Sequence, residues 1–473
     1  MKKRIGALFV ACACLAAVAG DAYDIGAEME TEGFWKSDPV LFVKRHEKQG
    51  FKFTSGSRES ADTRLDGAVT YHGIPVFESK VAFAEDSSGV TRVELVLFSP
   101  AGTEVRENVD SHRYRLVRRE KKISYDGFVQ LMRDVRAKLT AEGAKNPEMK
   151  TERTKAPVVQ KSQTWPRTDI PTEATLTWNY SQEGRKKSSF QAGFVRLAVD
   201  GPARLTKDRR GKVSVGGANA AKGAKKIVDN VVRDPRGDVF IDNVPMVDQG
   251  QKGYCAAAAS ERVLRYYGVD VDEHEIAQTA GTTAEGGTST LGMKNSVQAI
   301  GRKYKLGTVV TYGDFEKSVG ERIESIVKEV ANYNKAAKKM KKKEITDDIY
   351  ITHHGNMTTY SPAAADAAMD PEVLKYMKTE GPQRSKFTKF LKDVHDQVNK
   401  GIPLIWGVTL GTYPEPEIPQ SNGGHMRLII GYNDKKKEIL YTDSWGAGHE
   451  LKRMPAEWAW TISHCVMYLK PLR

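Results

Sequence analysis

The chain has 473 residues, 40% of them apolar and 28% charged, with a formal net charge of +13. That length implies two or three domains of about 150 residues each, and the composition excludes a disordered or fibrous protein. The positive charge sits in short, scattered Lys/Arg clusters with no aromatic-interleaved motif, so it reads as surface charge and no nucleic-acid partner is expected.

The first twenty residues read as a signal peptide. Lys2, Lys3 and Arg4 are followed by an apolar stretch from Ile5 to Ala17 and a small-residue cleavage pattern at Ala17-Val18-Ala19. The apolar stretch is too short for a permanent membrane span, and no other run of about 18 apolar residues follows. The expected location is therefore secreted, periplasmic or cell-envelope, with no integral membrane segment once the signal is removed. A lipid-modified Cys12 or Cys14 is the rival reading.

Residues 21–202 read as an α+β region. Asp38-Pro39 is a helix start, Asp as N-cap and Pro in the first turn, and "VLFVKRHEKQGF" continues it. Alternating apolar positions broken by Gly, Pro and Asp predict strands over 67–102. A helix is expected over 124–145, and strands again over 173–182 and 190–201. The span 203–236 is rich in Gly, Ala, Lys and Arg and reads as a linker open to proteases.

A second domain is expected over 237–473. Helices are predicted after Cys255, over 274–281, over 288–305, over 314–343 and around Phe387–Val398. The stretch 313–386 reads as a helical insertion. "LIWGVTL" at 404–410 is a strand, "HMRLIIGY" and "KEILYTDSW" form a hairpin, and "HCVMYLK" is a terminal strand.

Four cysteines occur, two of them inside the signal. The remaining pair, Cys255 and Cys465, excludes a disulfide-rich scaffold and a four-cysteine zinc site, while a single disulfide between them stays open. His353 and His354 are adjacent and would face opposite ways on a strand, so no metal is expected there. No phosphate-cradling loop is found, and no cofactor is expected.

Cys255 stands where a Gly-rich polar loop becomes a helix. Unpaired N–H groups and the helix dipole lower a thiol's pKa at such a place. Gln249 precedes it by six positions, in reach to donate to an oxyanion with the cysteine's own N–H. A nucleophilic thiol needs a base, and His425 in the hairpin is the best candidate. A turn centred near Asp434 places Asp443 across from His425, where it would orient the imidazole.

The segments Gln249-Gly-x-x-Gly253-x-Cys255, Gly424-His425-Met-Arg-Leu-Ile-Ile-Gly431-Tyr432 and Asp443-Ser444-Trp445-Gly446 resemble the three site motifs of papain-like cysteine peptidases. Asp443 in place of the usual Asn looks closer to the bacteriocin-processing, double-glycine-leader branch. The resemblance covers about residues 238–473. It implies an α+β papain-like domain, with a helical half carrying the cysteine and an antiparallel β half carrying the histidine, preceded by the separate N-terminal region. It implies hydrolysis of peptide or protein substrates through a thioester, with Cys255 as nucleophile, His425 as base and acid, Asp443 as orienter and Gln249 as oxyanion donor. Trp445 would shield the His–Asp contact. Branch members usually sit at the front of an export transporter, and this chain carries no nucleotide-binding motif. Two other classes stay open: a non-catalytic peptide- or envelope-binding protein, and a thiol amidase or transpeptidase acting on cell-wall peptides. The N-terminal region is expected to be an inhibitory propeptide or a binding module.

Overall fold

The computed structural model describes residues 22–84, 86–100, 102–108, 114–119, 121–141, 147–155, 158–167, 169–182, 187–207, 213–215, 227–249, 254–269, 271, 276, 290–303, 305–313, 319–354, 357–416, 418–419 and 422–471. The expected signal peptide, Gly250, Gly253, residues 208–212 and 216–226 of the expected linker and nearly all of the helix expected at 274–281 lie outside these residues. The chain divides into two compact units. One holds the described residues up to Lys52 and from Ala61 to Ala203; the other holds Phe53–Ser60 and Arg204 onward.

The N-terminal unit is built on an eight-stranded sheet. Its six longest strands run in the order Glu148–Lys155, Val158–Arg167, Thr172–Ser181, Gln191–Asp200, Val90–Phe98, Glu78–Phe83, with antiparallel pairing throughout. The helix Tyr125–Ala141 buries Phe128, Met132, Val135 and Leu139, spaced at helical intervals. The helix begun by Asp38-Pro39 runs only from Pro39 to Arg45, with Asp38 accepting from the Leu41 N–H. A separate 3-10 turn, Glu47–Gln49, follows and ends at Gly50.

The C-terminal unit opens with β1 (Val231–Arg233) and β2 (Asp238–Ile241). Thus Val231–Arg233, near the end of the span read as linker, is a strand of this unit paired with β2. Next come α1 (Cys255–Tyr266), α2 (Thr290–Lys303), β3 (Leu306–Tyr312) and α3 (Val319–Lys339). After short elements over 347–368 follow α4 (Pro371–Thr379), α5 (Arg384–Val398), β4 (Leu404–Leu410) and β5 (Gly423–Asn433). The chain continues through β6 (Glu438–Thr442), β7 (Lys452–Pro455), α6 (Ala456–Thr461) and β8 (Ser463–Pro471). The sheet order is β1-β2-β5-β4-β8-β3, with β6 on β5 and β7 on β6.

Strand β5 reads as an unbroken apolar run from Leu428 to Ile430 because helices α1 and α5 both pack on it. Helix α1 approaches closely because Ala256 to Ala259 present only methyl groups, all but fully buried. Helix α5 ends at Val398, and Gly401 follows with a positive φ of 73°, packed so closely that a Cβ there would stand 2.1 Å from the Ile227 carbonyl oxygen. The stretch 319–379 forms its own apolar cluster, including Val330, Tyr333, Ala337, Ile345, Val373 and Met377. Its link to the sheet is polar. The buried Lys378 ammonium donates to the Thr461 carbonyl at 2.7 Å and the Ser463 carbonyl at 3.3 Å, and Trp460 Nε1 donates to the Lys378 carbonyl at 3.2 Å. Among the described residues no helix is long and apolar enough to cross a membrane.

Candidate active site

Cys255 is the first residue of α1, so its side chain meets the unpaired N–H groups of the first turn. It is half-buried, and both Cys255 and Cys465 are free thiols. The disulfide left open by the sequence is not formed. Cys465 lies on β8 against Gly407, where a Cβ would come within 2.4 Å of its sulfur. Burial pushes the Cys465 thiol up to about 12.

The hairpin of β5 and β6 forms where expected, but its register differs. Asn433 pairs with Glu438, and an irregularity between Ile429 and Gly431 leaves Leu428 opposite Thr442. The expectation used a turn centred on Asp434. The turn instead takes four residues, because the Asn433 side chain accepts from the Lys436 N–H at 2.9 Å and Lys437 adopts a left-handed φ of 57°. Asp443 therefore lies just past the end of β6, level with Arg427 and diagonal to His425.

The diagonal still suffices. His425 Nε2 and Asp443 Oδ1 are 2.9 Å apart, with neither side chain exposed to solvent. A carboxylate can only accept, so Nε2 carries a proton and donates it to Asp443. Nδ1 is buried and takes no hydrogen bond, and Cys255 is near enough to act on the charge of the ring. Trp445, nearly level with His425 across the hairpin, stacks on the imidazole at 4.2 Å and 7°.

The charges are mutually supporting. Burial opposes ionisation of Cys255, but the hydrogen bond and charge of His425, with the Met426 and Ala256 N–H groups, hold its pKa below the ordinary thiol value. Burial disfavours the imidazolium, yet Asp443 and Cys255 raise the His425 pKa above its usual range. Burial favours protonated Asp443, and the Arg427 charge and the His425 hydrogen bond outweigh it, so the carboxyl stays below the usual range. The arrangement favours a thiolate–imidazolium pair beside a carboxylate.

Gln249 is also placed here. It is buried, and its backbone N–H donates to the Ser444 carbonyl at 2.8 Å, beside Asp443. Its side-chain Oε1 has no hydrogen-bond partner. Gly446, with φ of 79°, permits Asp248 to approach within 2.9 Å of where a Cβ would stand. Cys255, His425 and Asp443 thus come together where α1, β5 and the segment after β6 converge, and Gln249 is tied by its backbone to Ser444, next to Asp443.

Sequence reading missed three charged residues around them. Arg262, on α1, donates to the Asp443 carbonyl at 2.7 Å, Thr442 Oγ1 at 2.6 Å and the Pro245 carbonyl at 2.7 Å. It fastens the cysteine's helix to the backbone of the carboxylate. Arg427 and Glu415 form an ion pair behind Asp443. Arg427 had a signal: it stands two residues after His425 on a strand, hence on the same face. A cavity of about 830 Å³, lined by Tyr312, Lys328, Lys386, Phe390, Trp460 and His464, does not include Cys255, His425 or Asp443. His353 lies on an exposed hairpin, bonded to Thr358 Oγ1 at 2.9 Å.

A nucleophile helix set against an antiparallel sheet that bears the histidine is the papain-like α+β arrangement expected from the sequence, and it defines a cysteine-type peptidase. Residues 241–334 and 325–467 match the model of the Peptidase_C39 like family, and the C-terminal unit is similar to it over that span. Among the curated proteins none matches this chain. Two solved structures are similar in part. The peptidase domain of Streptococcus ComA, a bi-functional ABC transporter involved in quorum sensing, is 11% identical at a TM-score of 0.23, over 48% of this chain and 99% of that one. Xylellain, a cysteine protease from Xylella fastidiosa, is 13% identical at a TM-score of 0.24, over 53% of this chain and 90% of that one.

Proposed function

We propose that this protein is an exported peptidase whose working groups are Cys255, His425, Asp443 and Gln249. The observation that carries this reading is the buried imidazole held at 2.9 Å by Asp443, with its other nitrogen unpaired and Cys255 near enough for the two groups to act on each other's charge. The Cys255 thiolate attacks the carbonyl carbon of a peptide bond, and the oxygen takes up the charge. The Cys255 N–H and the Gln249 amide donate to that oxyanion. The carbonyl re-forms, the C–N bond breaks, and the imidazolium gives its proton to the departing amine. A thioester remains. His425 then takes a proton from water, whose oxygen attacks the thioester, and the carboxylic acid product leaves with the thiolate restored. Asp443 keeps the imidazole in the tautomer that serves both steps.

The test needs no substrate. Alkylation with iodoacetamide from about pH 4 to 9, with adducts mapped by mass spectrometry, reads thiolate content at each cysteine. Cys255 is expected to label well below the ordinary thiol pKa of about 8.5, with Cys465 unlabelled as the internal control. The sign follows from the site: a depressed thiol pKa and a raised imidazole pKa widen the interval in which the ion pair exists. Labelling of Cys255 only near the ordinary thiol pKa would remove the catalytic reading.

Export rests on the first twenty residues, and a secreted or cell-envelope location is proposed with it. The N-terminal region is proposed to restrain the peptidase, because it precedes the Lys/Arg/Gly-rich span at 203–236 that trypsin-like enzymes would cut. Limited trypsin cleavage there is expected to raise hydrolysis of a casein substrate. Unchanged activity after complete cleavage would sink the idea.

A further inference from the structure

We propose that Arg427 is a positioning residue for this reaction, clamping the Asp443 carboxylate behind His425 and tying it through Glu415 to the segment after β4. The proposal rests on the reading of Cys255, His425 and Asp443 given above.

The geometry is a continuous buried chain. His425 Nε2 and Arg427 Nε converge on the same carboxylate oxygen, Asp443 Oδ1, at 2.9 and 2.8 Å. Arg427 Nη1 donates to Glu415 Oε1 at 2.9 Å, and the Tyr441 hydroxyl donates to Glu415 Oε2 at 2.6 Å. The Arg427, His425 and Asp443 side chains are 0% exposed and Glu415 is 4%. The guanidinium lies over the Tyr441 ring at 4.7 Å, with Trp406 and Trp445 each at 5.9 Å. Aromatic faces on several sides leave the cation little freedom except along the Asp443–Glu415 line.

Such a chain has a purpose that a neutral orienting group would not require. A carboxylate buried beside a neutral imidazole is costly and would take up a proton. A protonated carboxyl could donate to the imidazole, reverse its tautomer and turn the wrong nitrogen toward the thiol. Arg427 prevents this by supplying charge and a fixed donor to Oδ1. Glu415 then sets the balance. Asp443, Arg427 and Glu415 together carry one negative charge, which protonation of His425 cancels. With the Cys255 thiolate and the buried Arg262 cation beside Asp443 counted as well, one charge of each sign is added, and the site is neutral when thiolate and imidazolium are both present.

The charges predict opposite effects for two substitutions, which a merely structural role would not produce. Arg427→Met removes a positive charge behind the pair, so thiolate formation becomes harder. Glu415→Gln removes a negative charge, so ionisation of the thiol beside an imidazole already protonated at acid pH becomes easier. The experiment is iodoacetamide alkylation of Cys255 in the full-length chain at about pH 5. Labelling is expected to fall about tenfold in Arg427→Met and to rise about threefold in Glu415→Gln. Arg427→Lys, which keeps charge without the fork, is expected to lose less than the Met variant. Unlabelled Cys465 in each variant shows that the C-terminal unit remains folded. Unchanged labelling in Arg427→Met, or shifts of the same sign in the Met and Gln variants, overturns the proposal. Failure of the wild type to label in acid overturns the catalytic reading itself, and the proposal with it.

Discussion

His425→Ala is expected to lower alkylation of Cys255 at about pH 5 by at least about a hundredfold, and to lower peptide hydrolysis about a thousandfold or more. The imidazole supplies both the hydrogen bond and the charge that hold the thiolate against burial. Without it, burial remains and pushes the thiol upward. The Met426 and Ala256 N–H groups still favour the thiolate, and so does the helix N-terminus, but each is a partial charge rather than a full one. The variant should therefore label along a curve displaced to higher pH, and meet the wild type only in alkaline solution where both are ionised. The cavity left by the ring lies under Trp445, which stacks on it, so some loss of stability accompanies the substitution. The pH dependence separates the two effects. Looser packing would raise labelling at every pH, whereas loss of the imidazolium lowers it selectively in acid. Acid labelling equal to that of the wild type would mean that His425 does not act on Cys255.

The position of Cys255 was readable in the sequence because its cause is local. Alanines after it allow a closely packed helix, and α1 starts at Cys255 itself. The β5–β6 hairpin was readable for a similar reason, since two apolar runs flank a polar turn. Its register was not. One side-chain hydrogen bond from Asn433 and one left-handed lysine lengthen the turn, and the irregularity at Ile429–Gly431 moves the pairing again. Asp443 reaches His425 anyway because diagonal neighbours on one sheet face are within range of long side chains.

The ionic shell shows the opposite limit. Glu415 comes from the segment after β4, where no periodicity marks a residue as buried. Arg262 sits in a helix whose charged residues look like a solvent face, "SERVLRYY". Glu261 and Arg262 are in fact both buried, Glu261 pairing with Arg265 at 2.6 Å. Amphipathic spacing finds the apolar face of a helix, but does not distinguish a charge in water from one enclosed by a second element.

Arg262→Met is expected to destabilise the C-terminal unit by about 3–5 kcal/mol. Arg262 is 1% exposed. Burial lowers its pKa to about 10, against the opposing charges of Asp443 and Glu450, so it stays charged at neutral pH. Its three bonds reach a carbonyl before α1, a hydroxyl at the end of β6 and the carbonyl of Asp443. Methionine fills similar volume but leaves these acceptors buried and short of a donor. Lysine does not rescue it, because a single ammonium cannot span three acceptors in the guanidinium plane. The buried thiol of Cys465 gives the readout: its alkylation across a urea series reports opening of this unit. The midpoint should fall while the slope stays near that of the wild type. A change below about 1 kcal/mol would show that the acceptors find other donors. The same variant should also reduce acid labelling of Cys255 at low urea, where the unit is folded. Arg262 is the covalent continuation of the nucleophile's helix and the hydrogen-bonded neighbour of the carboxylate's backbone, so the spacing of thiol, imidazole and carboxylate passes through it. Full acid reactivity in a destabilised variant would assign that spacing to the packing of Ala256–Ala259 instead.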